Sequence, residues 1–275
     1  MSFILGLIFI SITFAGIIIC AEWLLRRFSM HPEIVRKLVH VTMGLALLPL
    51  PWLFAETWQG ICMAVVGASL LWALYYIPFL KRWSVALNAV QRETAGHYYF
   101  VAGALATFLI AHEHKAGYVM AVLALSLADA SAGLIGVLKG KFKCWGNDKT
   151  LEGSIAFSIS SFLIAGFLLA QSEQYPVSYT LLLSLSIALS GMIVEALFIR
   201  GSDNLCIPIA TYGVFQLGLT LNVWSLLFSN ILVVTAIAAW IVKELRSQAV
   251  PSPTISNQPL PALRAYPLCS NSEVL

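Results

Sequence analysis

Charge is what this sequence has least of. Only 11% of its 275 residues are Asp, Glu, Lys or Arg, while 59% are hydrophobic; an average soluble domain carries about 25% charged residues. That excludes a water-soluble globular fold, and the apolar runs leave no room for a separate soluble domain. The five cysteines, Cys20, Cys62, Cys144, Cys206 and Cys269, show no Cys-x-x-Cys or Cys/His spacing, which excludes a zinc site of the usual pattern. They are expected as free thiols, mostly buried in membrane spans. No Walker pattern G-x-x-x-x-G-K-[ST] and no protein-kinase signature occurs, so the soluble NTPase types do not apply. There is no internal repeat and no inverted pair of interrupted spans, which argues against a secondary transporter. No nucleic-acid partner is expected, and nothing in the pattern specifies an oligomeric state.

What is present is a series of apolar runs long enough to cross a bilayer, which takes about 20 residues. Nine are read, at 3–24, 37–54, 58–80, 97–112, 117–138, 153–171, 178–199, 204–220 and 222–242. The expected fold class is all-α, a polytopic integral membrane protein of seven to nine transmembrane helices, with nine as the best count. The eighth run holds Asn204, Pro208, Gly213 and Gly218. It is read as either complete or broken and re-entrant, a form tolerated where backbone lines a cavity. The first run has no basic residue ahead of it and reads as a first span rather than a cleaved signal peptide. Residues 1–246 are taken as one polytopic catalytic domain. Residues 247–275 are rich in Pro and Ser without periodicity and read as a disordered tail.

The few charges are placed with a strong bias. With nine spans, alternate loops fall on one side of the membrane. That side receives Arg26, Arg27, Arg36 and Lys37, then Lys81, Arg82 and Arg92, then Lys139, Lys141, Lys143 and Lys149, then Arg200, and finally Lys243, Arg246 and Arg264. Of the 16 Lys and Arg residues, only Lys115 lies opposite. The positive-inside rule makes the rich side cytoplasmic, with the N-terminus outside and the C-terminus inside. The net charge of +3 says far less than this distribution.

Against that background Asp129 stands out, inside the apolar stretch from Val119 to Leu138. An ionisable residue in a spanning helix costs roughly 2.5–3.5 kcal/mol on insertion scales, so a functional role is the default hypothesis. Asp129, Gly133 and Gly136 are spaced by four and three and share a helix face. The glycines suit either a small-residue packing seam or the close approach of a phosphate. The aspartate is not needed for packing and reads most simply as a ligand for Mg²⁺ bound to nucleotide phosphates. A basic loop follows at once and ends in Lys149-Thr150-Leu151-Glu152-Gly153-Ser154. A helix N-terminus with free N–H groups is a ready anion site, and Thr150 is placed to cap it with Gly153 as its third residue. Glu152 falls in the first turn, where a negative charge also suits the helix dipole, so a purely structural role is open to it. Lys139, Lys141 and Lys143 read as ordinary topology signals.

Two further segments belong to the same side. Arg36-Lys37-Leu38-Val39-His40 opens the second span, with Arg36 and His40 on one face. Arg36 and Lys37 fit a basic membrane anchor or a phosphate clamp, and His40 lies one turn deeper. Glu195, at the end of the seventh span, precedes Asp203-Asn204, a common helix cap. Asp129, Glu195 and Asp203 together are the expected metal ligands, with Lys149 and Arg36 as their cationic complement. Arg92-Glu93-Thr94-Ala95-Gly96-His97 is a weaker candidate. His112 and His114, beside Glu113 and Lys115, read as loop polarity on the opposite face.

Taken in order, Arg36-Lys37-x-x-His40, Asp129 with Gly133 and Gly136, Lys149-Thr-Leu-Glu-Gly-Ser154, Glu195 and Asp203-Asn204-Leu-x-x-Pro208 resemble the polyprenol kinase family. That family includes phytol, farnesol and dolichol kinases and a CTP-dependent diacylglycerol kinase. The resemblance covers residues 30 to 245, and the short length and Asp-Asn-Leu segment are most similar to the phytol kinase branch. Family members often carry Gly before the aspartate, where this chain has Ala128. The resemblance implies a CTP-dependent, Mg²⁺-requiring kinase acting on the hydroxyl of a lipid alcohol at the cytoplasmic membrane face. It implies Asp129, Lys149 and Glu152 as catalytic residues. It implies Arg36, Lys37, His40, Gly133, Gly136, Thr150, Gly153 and Asn204 around nucleotide and phosphate. The partners are the lipid alcohol, the nucleotide and membrane lipids.

Two rivals remain. A CDP-lipid synthase of the phosphatidate cytidylyltransferase type also uses CTP and carries a similar Lys-x-x-Glu-Gly element. Its members usually end in an Asp-Arg-x-x-Asp-like signature, whereas this chain reads Ser202-Asp203-Asn204-Leu205 and lacks that arginine. A non-enzymatic transporter leaves the one-sided grouping of Lys149, Asp203 and Arg36 as coincidence.

Overall fold

The computed structural model describes residues 3–28, 30, 32–81, 95–143, 147–172 and 174–249. The chain forms helices α1 (Phe3–Phe28), α2 (Pro32–Leu47), α3 (Leu50–Leu53), α4 (Thr57–Tyr76), α5 (Pro78–Lys81) and α6 (Gly96–Ala111). These are followed by α7 (Lys115–Lys139), α8 (Leu151–Ala170), α9 (Val177–Leu197), α10 (Asp203–Leu219) and α11 (Val223–Ala249). Among the described residues the only β pairing is an isolated antiparallel bridge, Lys143 to Thr150. The fold is all-α and polytopic, and each of the nine apolar runs corresponds to a helical segment. Among the described residues seven are long and apolar enough to cross a membrane, where nine was the best count expected, α2 and α3 together making one of them; α6 is a shorter apolar helix. The last helix continues to Ala249, past the expected start of the tail; the remainder of that tail, and Arg82 and Arg92, lie outside the described residues.

Burial orders the helices into a centre and a rim. Half of the most apolar window is buried in α7 and in α9, against 17% in α1 and 11% in α11. Chains of buried apolar side chains explain the centre: Phe108, Tyr118, Leu125, Leu183 and Ile187 are all fully enclosed in one cluster. α1 instead turns Ile8, Phe9, Ile12 and Ile19 outward, as a helix facing lipid must. Of the three described cysteines, all free, Cys20 is on that outward face and exposed, while Cys62 and Cys206 are half-buried. The expectation of mostly buried thiols therefore fails for Cys20, because α1 is a rim helix. Polar side chains tie the bundle by donating to backbone carbonyls of neighbouring helices. The Tyr118 hydroxyl donates to Leu47 O at the end of α2 (3.0 Å), and Tyr179 donates to Gly218 O at the end of α10 (2.7 Å). Asn230 of α11 donates to Leu182 O and accepts from Ser186, a polar staple of rim to centre.

Two local irregularities position the site. Residues Ala124–Ala128 form a π turn inside α7, directly before Asp129. Such turns loosen the regular ladder and recur at functional sites; here Leu125 O accepts a hydrogen bond from His40 Nε2 at 2.8 Å. Between α9 and α10, Arg200 (φ 57°) and Gly201 (φ 88°) take the left-handed conformation. A side chain at 201 would also meet Gly96 Cα, at 2.5 Å from its Cβ, so glycine is required there twice over. α10 is one continuous helix with Pro208 inside it, so the eighth run is unbroken. Proline has no N–H to bond the carbonyl four residues back. That carbonyl, on Asn204, packs onto Gly103 of α6 so closely that no Cβ fits between them.

Candidate active site

The loop from α7 to α8 builds one wall of the site. Asn147 makes its turn: Oδ1 accepts from the Lys149 N–H (2.8 Å), and Nδ2 donates to Ala196 O of α9 (2.8 Å). Thr150 caps α8, its Oγ1 accepting from the Gly153 N–H at 3.3 Å. These contacts bring the Lys149 ammonium between two carboxylates, Glu195 Oε1 at 2.6 Å and Asp203 Oδ2 at 2.9 Å. Ser154 Oγ donates to the other Glu195 oxygen at 3.3 Å. Asp203 also accepts from the Asn204 N–H with its second oxygen, so it serves the helix start and the lysine together. Burial by itself lowers the pKa of Lys149. Asp203, Glu195 and Asp129 jointly outweigh that effect and hold the ammonium above the ordinary lysine range.

The opposite wall comes from α2. Lys37 reaches across Gly133 to Asp129, with Nζ 2.7 Å from Oδ2 and 3.2 Å from the backbone oxygen. Lys37 and Asp129 are 6% and 4% exposed, so this is a closed ion pair. His40 Nε2 lies 3.4 Å from the same carboxylate oxygen. Since Leu125 O can only accept, Nε2 carries the proton. A Cβ at Gly133 would collide with the end of the Lys37 side chain, so the space that glycine opens is filled by lysine. Gly136 and Gly153 face each other across α7 and α8, a Cβ on Gly153 falling 3.4 Å from Gly136 Cα. The packing-seam reading thus describes this pair, and both residues also line the cavity.

The two walls enclose a cavity of about 970 Å³. Its charged end is lined by Arg36, Lys37, His40, Asp129, Lys149, Thr150, Glu195, Asp203 and Asn204, with Gly133, Gly136 and Gly153 on its surface. Every expected site residue except Glu152 is therefore brought to one chamber. Glu152 turns away: its two carboxylate oxygens accept from the Lys141 and Phe142 N–H groups, at 3.0 and 3.3 Å. It secures the basic loop against α8 and does not line the chamber. The weaker candidate segment contributes His97, whose Nδ1 lies 3.0 Å from the Tyr75 hydroxyl; Arg92, Glu93 and Thr94 are outside the described residues. Sequence reasoning missed Tyr75, Asn147 and Arg200 as lining residues. Only Asn147 left a trace, as an Asn-Asp pair in a loop, a frequent turn former.

The expected metal set does not gather as one cage. Among the described residues no group of three His, Cys, Asp or Glu side chains is placed to hold a metal ion. Asp129 is closed by Lys37, whereas Glu195 and Asp203 hold a cation between them already, in the form of the Lys149 ammonium. Hard oxygen donors arranged around a positive charge are the right chemistry for Mg²⁺, which commonly takes one or two carboxylates and draws its other ligands from phosphates and water.

Comparison with known proteins adds two relatives. A phytol kinase of Synechocystis sp. is 26% identical over 204 residues, covering 72% of this chain and 85% of that protein. An uncharacterised protein of Methanocaldococcus jannaschii is 31% identical over 185 residues, covering 64% of this chain and 88% of that protein. No protein-family profile and no solved structure matches the chain.

Proposed function

Since this chain belongs to the polyprenol and phytol kinase family, an integral multi-pass membrane group, we propose that it transfers the γ-phosphate of CTP to the hydroxyl of an isoprenoid alcohol. The observation that carries this reading is one cavity with a charged end and an apolar end. A nucleotide phosphate suits the first and a lipid tail the second. Lys149, Arg36 and the capped N-terminus of α8 supply positive potential for the phosphates. Glu195 and Asp203 would hold the nucleotide's Mg²⁺, which would offset phosphate charge. Asp129 stands where the charged end gives way to the apolar one, so it meets the alcohol. In the transfer the alcohol oxygen bonds to the γ-phosphorus and the bond from that phosphorus to the bridging oxygen breaks. CDP leaves, and the hydroxyl proton passes to Asp129. Lys37 orients the carboxylate for this, with the His40 ring packed beside it. Positioning and charge stabilisation are most of what phosphoryl transfer asks of a protein. The one-sided lysines and arginines support the cytoplasmic face as the side of this chemistry.

The test is direct. Membranes containing the protein are given γ-labelled CTP, Mg²⁺ and a panel of phytol, farnesol, undecaprenol and diacylglycerol. Label in an isoprenoid phosphate is the expected result. Label only in released pyrophosphate means cytidylyl transfer instead, and turnover that Asp129→Asn leaves unchanged removes Asp129 from the chemistry.

A further inference from the structure

Beyond Asp129 the cavity becomes apolar and elongated. Phe14 of α1, Met43 and Leu47 of α2, Met63 of α4, and Phe100 and Ala104 of α6 line it. Its long axis can be read from the helices themselves. Lys37 and Leu47 both face it from α2, ten residues apart, which at 1.5 Å per residue is about 15 Å. On α4, running the other way, Tyr75 stands at the charged end beside His97 and Met63 at the far end, about 18 Å along the helix. α6 agrees, with His97 at the charged end and Ala104 deeper. Leu47 is fully buried and its carbonyl is held by Tyr118, so the far end is closed by packed structure. The slot therefore runs along the helices, with a charged mouth and an apolar floor.

Gly67 lies between mouth and floor on α4, eight residues from Tyr75 and four from Met63. It lines the slot, and a Cβ built on it meets only the Val101 methyl groups, at 3.9 and 4.0 Å. That is ordinary contact, so α4 accepts a Cβ here without moving, and a longer side chain built on this slot-lining position competes with the slot for space. The neighbouring crevice between α1 and α4 holds about 20 Å³, room for about one water molecule. It gives no arm for a second acyl chain.

We propose that this slot binds the tail of a single-chain isoprenoid alcohol, and that Gly67, with Met63 at the floor, sets the chain length accepted. The proposal rests on the kinase reading for its substrate and adds the residues that select it. Gly67→Leu closes the slot partway down, and Met63→Ala deepens it.

Primary isoprenoid alcohols of ten, fifteen and twenty carbons, and diacylglycerol, are compared as acceptors with wild type and both variants. Gly67→Leu is expected to spare the ten-carbon alcohol and to cut kcat/KM for the twenty-carbon alcohol about tenfold or more, the scale on which a hydrophobic pocket rejects excess chain. Met63→Ala shifts preference toward longer chains, and diacylglycerol is the poorest acceptor throughout. Equal losses for all lengths, no change at any length, or diacylglycerol as best acceptor overturns the proposal. A second readout needs neither turnover nor a variant that folds: diazirine-tailed alcohols of the same lengths are photolysed on wild-type protein and the labelled peptides mapped. Label on α4 at Met63 to Gly67 from the longest probe supports the slot, and label confined to outward-facing residues such as Ile8 and Ile12 overturns it. If wild type phosphorylates no alcohol with any nucleotide, the kinase reading fails, while the photolabelling still decides the slot.

Discussion

The two lysines of the charged end meet their acids in opposite proportions. Lys37 serves one carboxylate, Asp129, at 2.7 Å, and both are almost wholly buried. Lys149 serves two, Glu195 and Asp203, and its side chain is a quarter exposed. The first pair is neutral and closed. The second carries one more negative charge than positive, so it has affinity to spare for a cation. Lys149 can also turn from one carboxylate to a phosphate without leaving itself unpaired. A fixed ion pair beside the lipid and an exchangeable one beside the nucleotide is the division of labour this difference suggests, and it can be broken by mutation.

The largest effect is expected at the closed pair. Lys37→Met leaves Asp129 buried without its partner, a loss of about 3–5 kcal/mol for breaking a buried pair. The double variant Lys37→Met with Asp129→Leu should recover most of that stability and none of the activity. Thermal unfolding in detergent, run as a double-mutant cycle, measures the coupling. A single-variant loss below about 1 kcal/mol, the range of an exposed pair, would place Lys37 and Asp129 in a watery, exchangeable setting and erase the contrast.

Next comes Lys149→Met, whose larger cost falls on activity and whose smaller cost falls on folding. Removing one preorganised charge from a developing phosphoryl group lowers turnover about 10²–10³-fold. Adding Glu195→Gln relieves the repulsion between the two acids and restores stability without restoring turnover. The pH dependence carries a sign that can be checked. The pKa of Lys149 is raised in the fold, so its stabilising contribution is complete below the ordinary lysine pKa and lost only as pH rises through the higher folded value. The stability difference between wild type and Lys149→Met should therefore be complete at about pH 9 and shrink only in strong alkali. A difference already lost at the ordinary lysine pKa means Lys149 is not held by its carboxylates.

Much of this arrangement was legible in the sequence because membranes penalise charge. Where only 11% of residues are charged, Asp129 and Glu195 could be singled out from the positions of the apolar runs alone. Lys37 and Lys149 stood out by their neighbours in Arg36-Lys37-x-x-His40 and Lys149-Thr-Leu-Glu-Gly-Ser154, while Glu22, also buried, was not singled out. The nine helical segments follow from the same runs. Pairing was not legible, since it depends on how helices distant in the chain cross. Nothing local says that Lys37, 92 residues before Asp129, lies across Gly133. The π turn before Asp129 was hidden too, since Ala124 to Ala128 is an unremarkable apolar stretch whose loosened ladder shows only once His40 meets Leu125 O. Glu152 shows the limit most plainly. Its position in Lys-Thr-Leu-Glu-Gly-Ser fits a catalytic acid and a helix-start acid equally well, and only coordinates reveal which backbone groups it faces.

Smaller effects sharpen the contrast by acting on the support of one cluster alone. Thr150→Ala removes the cap of α8, at a cost of about 1 kcal/mol. Because Lys149 precedes that cap and Lys37 lies on another helix, the loss should appear in KM for the nucleotide and leave KM for the alcohol unchanged. Equal shifts in both would mean that α8 supports the two clusters alike.

The smallest effect is expected at Glu152. Its carboxylate accepts the Lys141 and Phe142 N–H groups, and an amide oxygen in its place still accepts one of them. Glu152→Gln should therefore leave kcat within about threefold of wild type, far from the 10²–10³-fold expected of a group that stabilises the transferring phosphate. The change should register instead as faster protease cleavage between Lys139 and Lys143, where loop order depends on those two bonds. Glu152→Ala, which keeps neither acceptor, should increase cleavage further with only a modest additional loss of turnover. If Glu152→Gln instead abolishes turnover while protease resistance stays unchanged, the carboxylate acts on the substrate. The loop must then turn it into the chamber on binding, and the exchangeable cluster has a third acid.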